Sequence, residues 1–178
     1  MINYMVNLTK ADRMRCRKSK LQRKETPLIL QILYKLIEYL VIFLIGGCVY
    51  YCIEVLWRGY SHYSMFILGG LCLIIIGLLN EGLFPEKFGL IPQMLMGSII
   101  ITVLEFITGL IVNVWMGLDI WDYSDMPLNI MGQICLPFTI AWFFISGVAI
   151  VVDDMIRHTL FDEPWPQYEL WMMKDDAA

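Results

Sequence analysis

Charge is what this sequence has little of. Asp, Glu, Lys and Arg make up 17% of its 178 residues, against about 25% in an average soluble domain. Histidine is rarer still, with two residues, His62 and His158. The sequence has no catalytic-triad pattern, no His-rich tract and no phosphate-binding Gly-rich loop. Hydrolytic, metal and nucleotide chemistry therefore has almost nothing to stand on, and neither an enzymatic activity nor a cofactor or metal is expected. Of the five cysteines, Cys16 lies in a basic N-terminal segment and Cys48, Cys52, Cys72 and Cys135 in apolar stretches, with none placed for an extracellular disulfide framework. Cys48 and Cys52 are one helical turn apart, but no His or acid completes a tetrahedral set, so they read as small packing residues. What is abundant is apolar: 58% of the residues, with a mean hydropathy of +0.63. These residues fall in long blocks rather than at amphipathic spacing. That excludes a soluble globular domain, a disordered chain, a coiled coil and a nucleic-acid-binding module. A small polytopic membrane protein remains.

Gaps between charges locate the spans. Between Lys35 and Arg58 the only acids are Glu38 and Glu54, which predicts a span at about 36–57. The 18 uncharged residues between His62 and Glu81 predict a second at 63–80. Glu105 is the single charge between Lys87 and Asp119, which predicts a third at 92–115. The 27 uncharged residues between Asp125 and Asp153 predict a fourth at 128–152. Each run meets the ~20 residues that cross ~30 Å of hydrocarbon as helix, and helices satisfy their own backbone groups in lipid. The expected fold is all-α: a four-helix transmembrane bundle over residues 35–153, between a basic arm (1–34) and an acidic, aromatic tail (154–178).

Eight of the 13 Lys and Arg lie in the arm, giving it a net charge of +6 against Asp12 and Glu25. The positive-inside rule puts the N-terminus in the cytoplasm, and four spans return the C-terminus to the same side. Loops 58–62 and 117–127 are then outside, and loop 81–91 inside. The arm suits anionic lipid, at ~1 kcal/mol per basic residue near the surface, better than nucleic acid. Its apolar continuation starts too late and runs too long for a signal peptide. The tail segment Pro164–Trp171 has the aromatic character favoured at the membrane interface.

An ionisable group deep in a span costs about 2.5–3.5 kcal/mol on insertion scales, so it needs a partner or a function. Glu105 is the clearest case, ~15 Å below Trp115 along a helix. Ser98, Thr102, Glu105 and Gly109 share one helix face, and Asn113 extends the stripe. On the fourth span Asn129, Gly132, Thr139 and Ser146 fall within an arc of roughly 100°. Two polar, small-residue stripes on neighbouring helices are expected to face each other or a shared cavity. Glu105 is then a cation or proton site or a contact to a polar substrate, or else a neutral structural carboxyl bonded to Thr or Asn across the bundle. Glu54 lies one turn from the outer interface, beside Arg58. Together with Asp119, Asp122 and Asp125 of the outer loop it makes an acidic mouth that concentrates cations. The alternative is that Arg58 pairs with Asp122 or Glu54 and ties the loop down.

Two motifs carry a family resemblance. Thr102-Val103-Leu104-Glu105-Phe106-Ile107-Thr108-Gly109 is followed by Trp121-Asp122-Tyr123-Ser124 and then by Asn129-Ile130-Met131-Gly132-Gln133-Ile134-Cys135-Leu136. Over about residues 98–136 the chain resembles the ABC-transporter type IV family, also called CmpB-like. The resemblance implies a bacterial inner-membrane protein carried under a permease label, with Glu105, Trp121, Asp122, Tyr123, Ser124, Asn129 and Gly132 at motif positions. Two departures stand out. Family members commonly carry an Asn-Arg-Gly segment and a following Gly-Pro and Pro-x-Tyr-Gly stretch, of which Arg58-Gly59-Tyr60 remains. Gln133 also stands where an Arg is often found, which removes a partner for an acid.

Two classes of function fit. The first is a permease-like transport component with no ATPase of its own. Its pathway candidates are Glu105, Thr102, Ser98, Asn113, Asn129 and Glu54, and its extracytoplasmic loop motif is Arg58, Trp121, Asp122, Tyr123 and Ser124. Four helices make a small pathway, so a homo-oligomer or a larger membrane complex is expected, with an ATP-binding subunit in trans. A dual-topology exporter is disfavoured by the strongly basic arm. The second class is a non-transport binding module (an assembly, immunity or lysis-related factor) that docks a membrane partner through arm and tail.

Overall fold

The computed structural model describes residues 26–79 and 89–163, together with Met14, Lys18, Leu21, Tyr168, Leu170 and Trp171. Most of the basic arm with Cys16, most of the 81–91 loop and most of the aromatic tail segment lie outside the described residues. Among those described, the secondary structure is helical, with four α-helices: α1 (Leu28–Arg58), α2 (Tyr63–Leu78), α3 (Leu90–Gly109) and α4 (Leu136–Phe161). α3 continues directly into a π-helical turn, Leu110–Trp115. α1, α4 and α3 with its π turn are long and apolar enough to cross a membrane, and α2 is a shorter apolar helix of 16 residues.

Local chemistry sets the helix ends. Pro27 precedes α1, and Gly59 closes it in the left-handed conformation at φ 82°, which costs glycine nothing. The His62 ring accepts the Ser64 N–H at 3.3 Å and caps α2. Pro137 sits in the first turn of α4, where its missing N–H is no loss.

α1 packs along α2, and α3 along α4. The first pair is joined through glycines, Gly46 and Gly47 against Gly69 and Gly70. A Cβ at Gly69 would collide with Tyr50, and one at Gly70 would lie 2.5 Å from the Phe43 ring. Lipid supplies no hydrophobic drive between helices, so close backbone approach and dispersion hold such pairs. Gly69→Val is therefore expected to destabilise the α1–α2 pair by about 1–3 kcal/mol, the usual cost of overpacking. A thermal melt in detergent reads this as a lowered midpoint, and an unchanged midpoint would show that the pair is loosely packed.

α4 departs from the expected 128–152. It starts eight residues later, at Leu136, and runs on to Phe161. Residues 116–135 form an irregular loop in which Leu128, Met131 and Gly132 adopt positive φ of 53°, 54° and 68°. A charge gap measures apolar length rather than helicity, and Pro127, Asn129 and Gly132 favour turns. Asn129 and Gly132 therefore do not belong to a stripe on α4. The helices α3 and α4 run antiparallel, with Gly97 against Ser146, Thr102 against Thr139 and Gly109 against Gln133. Leu136 thus sits level with the stretch between Thr102 and Gly109. The loop descends beside the last turns of α3 instead of lying above them.

At the other end, α1 and α4 are joined by buried charges. Arg157 donates through Nη1 to Glu38 and through Nε to Asp153 Oδ2 at 2.7 Å. Glu38, Asp153 and Arg157 are 0%, 1% and 2% exposed. Lys35 bridges Glu38 at 2.9 Å and Glu163 at 3.2 Å, and Tyr34 meets Phe161 edge-on. The Asp153 carboxylate lies against Gly77 of α2, where any Cβ would collide with it. These pairings, together with the Tyr168 hydroxyl donating to Asp154 Oδ2, explain why α4 continues through Asp153 and Asp154 instead of ending there. The stretch from Glu38 to Arg58 measures ~30 Å as helix, the thickness of a hydrocarbon core.

Candidate functional site

The polar face of α3 meets α4. Ser98 Oγ donates to the Thr139 carbonyl at 2.7 Å, and Thr102 Oγ1 to Thr139 Oγ1 at 3.3 Å. Thr139 and Ser146 in turn donate to the carbonyls of Cys135 and Trp142 one turn back, at 3.1 and 2.7 Å. Their hydroxyls are thereby satisfied without water, as buried polar groups require.

Glu105 lies further along this face and is 1% exposed. Its partners are neither Thr nor Asn. Tyr123 donates its hydroxyl to Oε1 at 3.2 Å, and Trp142 donates Nε1–H to Oε2 at 2.8 Å. The short Thr102 hydroxyl is already engaged by Thr139, whereas the long aromatic side chains reach the carboxyl from the loop and from α4. Tyr123 stacks on Phe138 with ring centroids 4.7 Å apart, and Phe138 and Tyr50 flank Trp142 at 6.3 and 6.1 Å. The carboxyl is therefore enclosed by aromatic rings. Trp142 and Phe138 were not singled out in the sequence, although a Trp inside an apolar run does need a partner for its N–H.

Asn113 sits in the π turn and organises the loop rather than extending the stripe. Its Nδ2 donates to the Trp121 carbonyl at 3.0 Å and to Gln133 Oε1 at 2.8 Å, while Oδ1 accepts the Ile120 N–H at 2.7 Å. The extra residue of a π turn re-aims side chains in this way. Trp121 Nε1 donates to the Gln133 carbonyl at 3.0 Å. Asn129 holds the outer part, donating to the Ser124 and Met126 carbonyls at 2.9 Å each. The structure thus keeps Asn113 and Asn129 in the loop network, away from the Glu105 carboxyl. Tyr123 is the member of the Trp121–Ser124 motif that reaches it.

Arg58 takes Glu54 rather than Asp122, with Nη2 to Oε1 at 2.8 Å, and its Nη1 donates to the Ile120 carbonyl at 2.7 Å. Ser61 Oγ adds a 2.5 Å bond to Glu54 Oε2. This anchors the end of α1 to the loop. Asp122 is exposed and accepts the Ser124 hydroxyl at 2.6 Å and backbone N–H at 2.8 Å. Those two bonds hold its carboxyl below its ordinary value of 3.8. A depressed carboxyl contributes stability above the unfolded value and loses it as pH falls through the folded value. The outer turn of the loop is thus expected to stay fixed at pH 5 to 7 and to loosen below the usual carboxylate range. Hydrogen exchange of the Ser124 amide should rise there in the native protein and be pH-independent, after correction for intrinsic exchange, in Asp122→Ala.

Cys48, Cys52, Cys72 and Cys135 are free thiols, the last at the N-cap of α4 rather than within a span. Among the described residues no group of three His, Cys, Asp or Glu is placed to hold a metal ion.

Apolar helices of spanning length, enclosing the Glu105 carboxyl under a loop that enters the bundle, define a helical membrane protein. Residues 32–173 match the family described as "Putative ABC-transporter type IV", and the chain belongs to that family. The match covers nearly all of α1, the other three helices and the loop. It makes this a transport-related membrane protein. No curated protein and no solved structure gives a significant match.

Proposed function

We propose that the chain is a permease-like transport component, without an ATPase of its own, in a bacterial cytoplasmic membrane. In this reading α2 crosses the bilayer with the other three helices and both termini are cytoplasmic. The 116–135 loop then enters from outside, and the Glu38–Arg157 cluster marks the cytoplasmic boundary. The observation that carries the proposal is the Glu105 carboxyl, buried near the end of α3 where the helix runs on into the π turn, and held by one donor from the loop and one from α4. Irregular backbone at membrane depth is tolerated where it is buried in protein or lines a water-filled cavity. The buried part of the loop at Ile120, Trp121, Gly132 and Gln133 meets that condition, with Asn113 pairing the Ile120 N–H and the Trp121 carbonyl. Moving Tyr123 aside uncovers Glu105 from outside without unfolding a helix. Ser98, Thr102 and Thr139 continue the polar face toward the cytoplasm, and Glu54 and Asp122 sit at the outer mouth. Exposure of one carboxyl to each side in turn is the minimal device for coupled translocation.

One such chain makes a narrow pathway, so it works as a homo-oligomer or within a larger membrane complex, energised by an ATP-binding subunit in trans. Affinity purification from native membranes in a mild detergent, with partners identified by mass spectrometry, tests this. Co-purification of an ATP-binding subunit at stable stoichiometry is expected. Recovery of one unrelated membrane protein, with activity lost on deleting residues 1–24 or 160–178 and retained in Glu105→Gln, would replace it by the binding-module reading.

A further inference from the structure

A cavity of about 220 Å³ lies between α1 and α4, over a floor made by α2. Its rim, Val49 and Ile53 on α1 and Ile145 and Val148 on α4, is exposed, whereas its floor at Cys72, Leu73 and Ile76 is buried. α1 and α4 are tied to each other by Arg157–Glu38 at one end, and Arg58 ties α1 to the loop at the other. Between the ties they part and leave a lateral window. Tyr50 and Trp142 wall the cavity on the loop side.

The surroundings decide what fills it. Water finds no partners against such a lining, and apolar cavities of ~150 Å³ already stay dry and take up small apolar molecules. The rim residues of α1 lie between Glu38 and Arg58, whose separation of ~30 Å matches the hydrocarbon core. At that depth the medium outside the window is hydrocarbon chain. Trp142 then has two roles, because its ring lines the cavity while its Nε1 holds Glu105 at 2.8 Å. We infer that the cavity binds the hydrocarbon chain of a membrane amphiphile, which enters sideways from the bilayer between α1 and α4. Resting on the transport reading above, this assigns the substrate class: the chain packs on one side of Trp142, and the polar head uses the face around Glu105 on the other.

The test uses the full-length protein in phosphatidylcholine–phosphatidylglycerol vesicles that contain a phosphatidylcholine with a mid-chain diazirine. After irradiation, adducts are mapped by mass spectrometry. Adducts are expected on the buried floor, at Cys72 and Leu73, as well as on the exposed positions Leu44 and Val103. Ala149→Trp, which fills the cavity, should cut floor labelling at least tenfold and leave Leu44 unchanged. Val148→Trp at the rim should do the same where Ala149→Trp lowers the folded yield. Labelling confined to exposed positions in the native protein, or floor labelling unaffected by either variant, overturns the inference. The readout is independent of transport: floor labelling together with a fully active Glu105→Gln keeps the chain site and removes the transport reading. An unlabelled floor with an inactive Glu105→Gln removes the chain site alone.

Discussion

Arg157→Ala should cost this protein most of its folded yield. The side chain sits between Glu38 of α1 and Asp153 of its own helix, and all three are almost fully buried. Removing the cation leaves Glu38 with Lys35 as its remaining cation and Asp153 without the Arg157 bond, both in a medium that solvates a carboxylate poorly. Breaking a buried ion pair from one side costs about 3–5 kcal/mol, a large part of the ~5–15 kcal/mol that holds a typical fold together. The charges, rather than the packing, should dominate that loss. Arg157→Met combined with Glu38→Met and Asp153→Leu is therefore expected to recover much of it, since a buried pair replaced by well-packed apolar groups of similar volume is often no less stable. Monodisperse yield by size-exclusion chromatography and a melt in the same detergent read both variants. A single Arg157→Ala with native yield and midpoint would mean that the cluster is hydrated and exerts little force.

Glu105→Gln should behave in the opposite way, with the fold intact and activity lost by at least about tenfold, the factor given by ~1.4 kcal/mol. The amide keeps the shape and accepts the Trp142 N–H, while its own NH₂ can donate to the Tyr123 oxygen. Stability should therefore change by about 1 kcal/mol or less. Glu105→Ala instead strands the Trp142 N–H and the Tyr123 hydroxyl inside the bundle, at about 1–3 kcal/mol for each buried unpaired group. The contrast separates a carboxyl that works from one that merely fills a hydrogen-bond pattern.

Much of the architecture can be read from apolar runs, because a helix in lipid has to be long and uncharged. α1 starts eight residues before the predicted 36, at Leu28, with Lys35 inside the helix and paired to Glu38 and Glu163, whereas α2 and α3 fall close to the charge gaps that predict them. α4 does not, for two physical reasons. The uncharged residues 128–135 are built for turns, with Asn129 satisfying loop carbonyls through its side chain. Beyond Val152 the charges remain in the helix because they find partners, and Glu38 lies 119 residues away from Arg157 in the chain. The i,i+4 spacing of Asp153 and Arg157 was visible, but nothing local to either residue points to Glu38. The polar stripe at Ser98, Thr102 and Glu105 was legible from helical periodicity alone. The aromatic donors to Glu105 were not, since Tyr123 reaches it only because the loop descends into the bundle.

The central claim is that the buried carboxyl of Glu105 carries function rather than packing. The most direct measurement is complementation of a strain lacking the protein by native and Glu105→Gln forms, at membrane levels matched by quantitative immunoblot and with elution profiles recorded in parallel. The account predicts a Glu105→Gln protein that is present, monodisperse and unable to complement. Full complementation at matched levels would contradict it, and Glu105 would then be a packing residue of the α3–α4 interface.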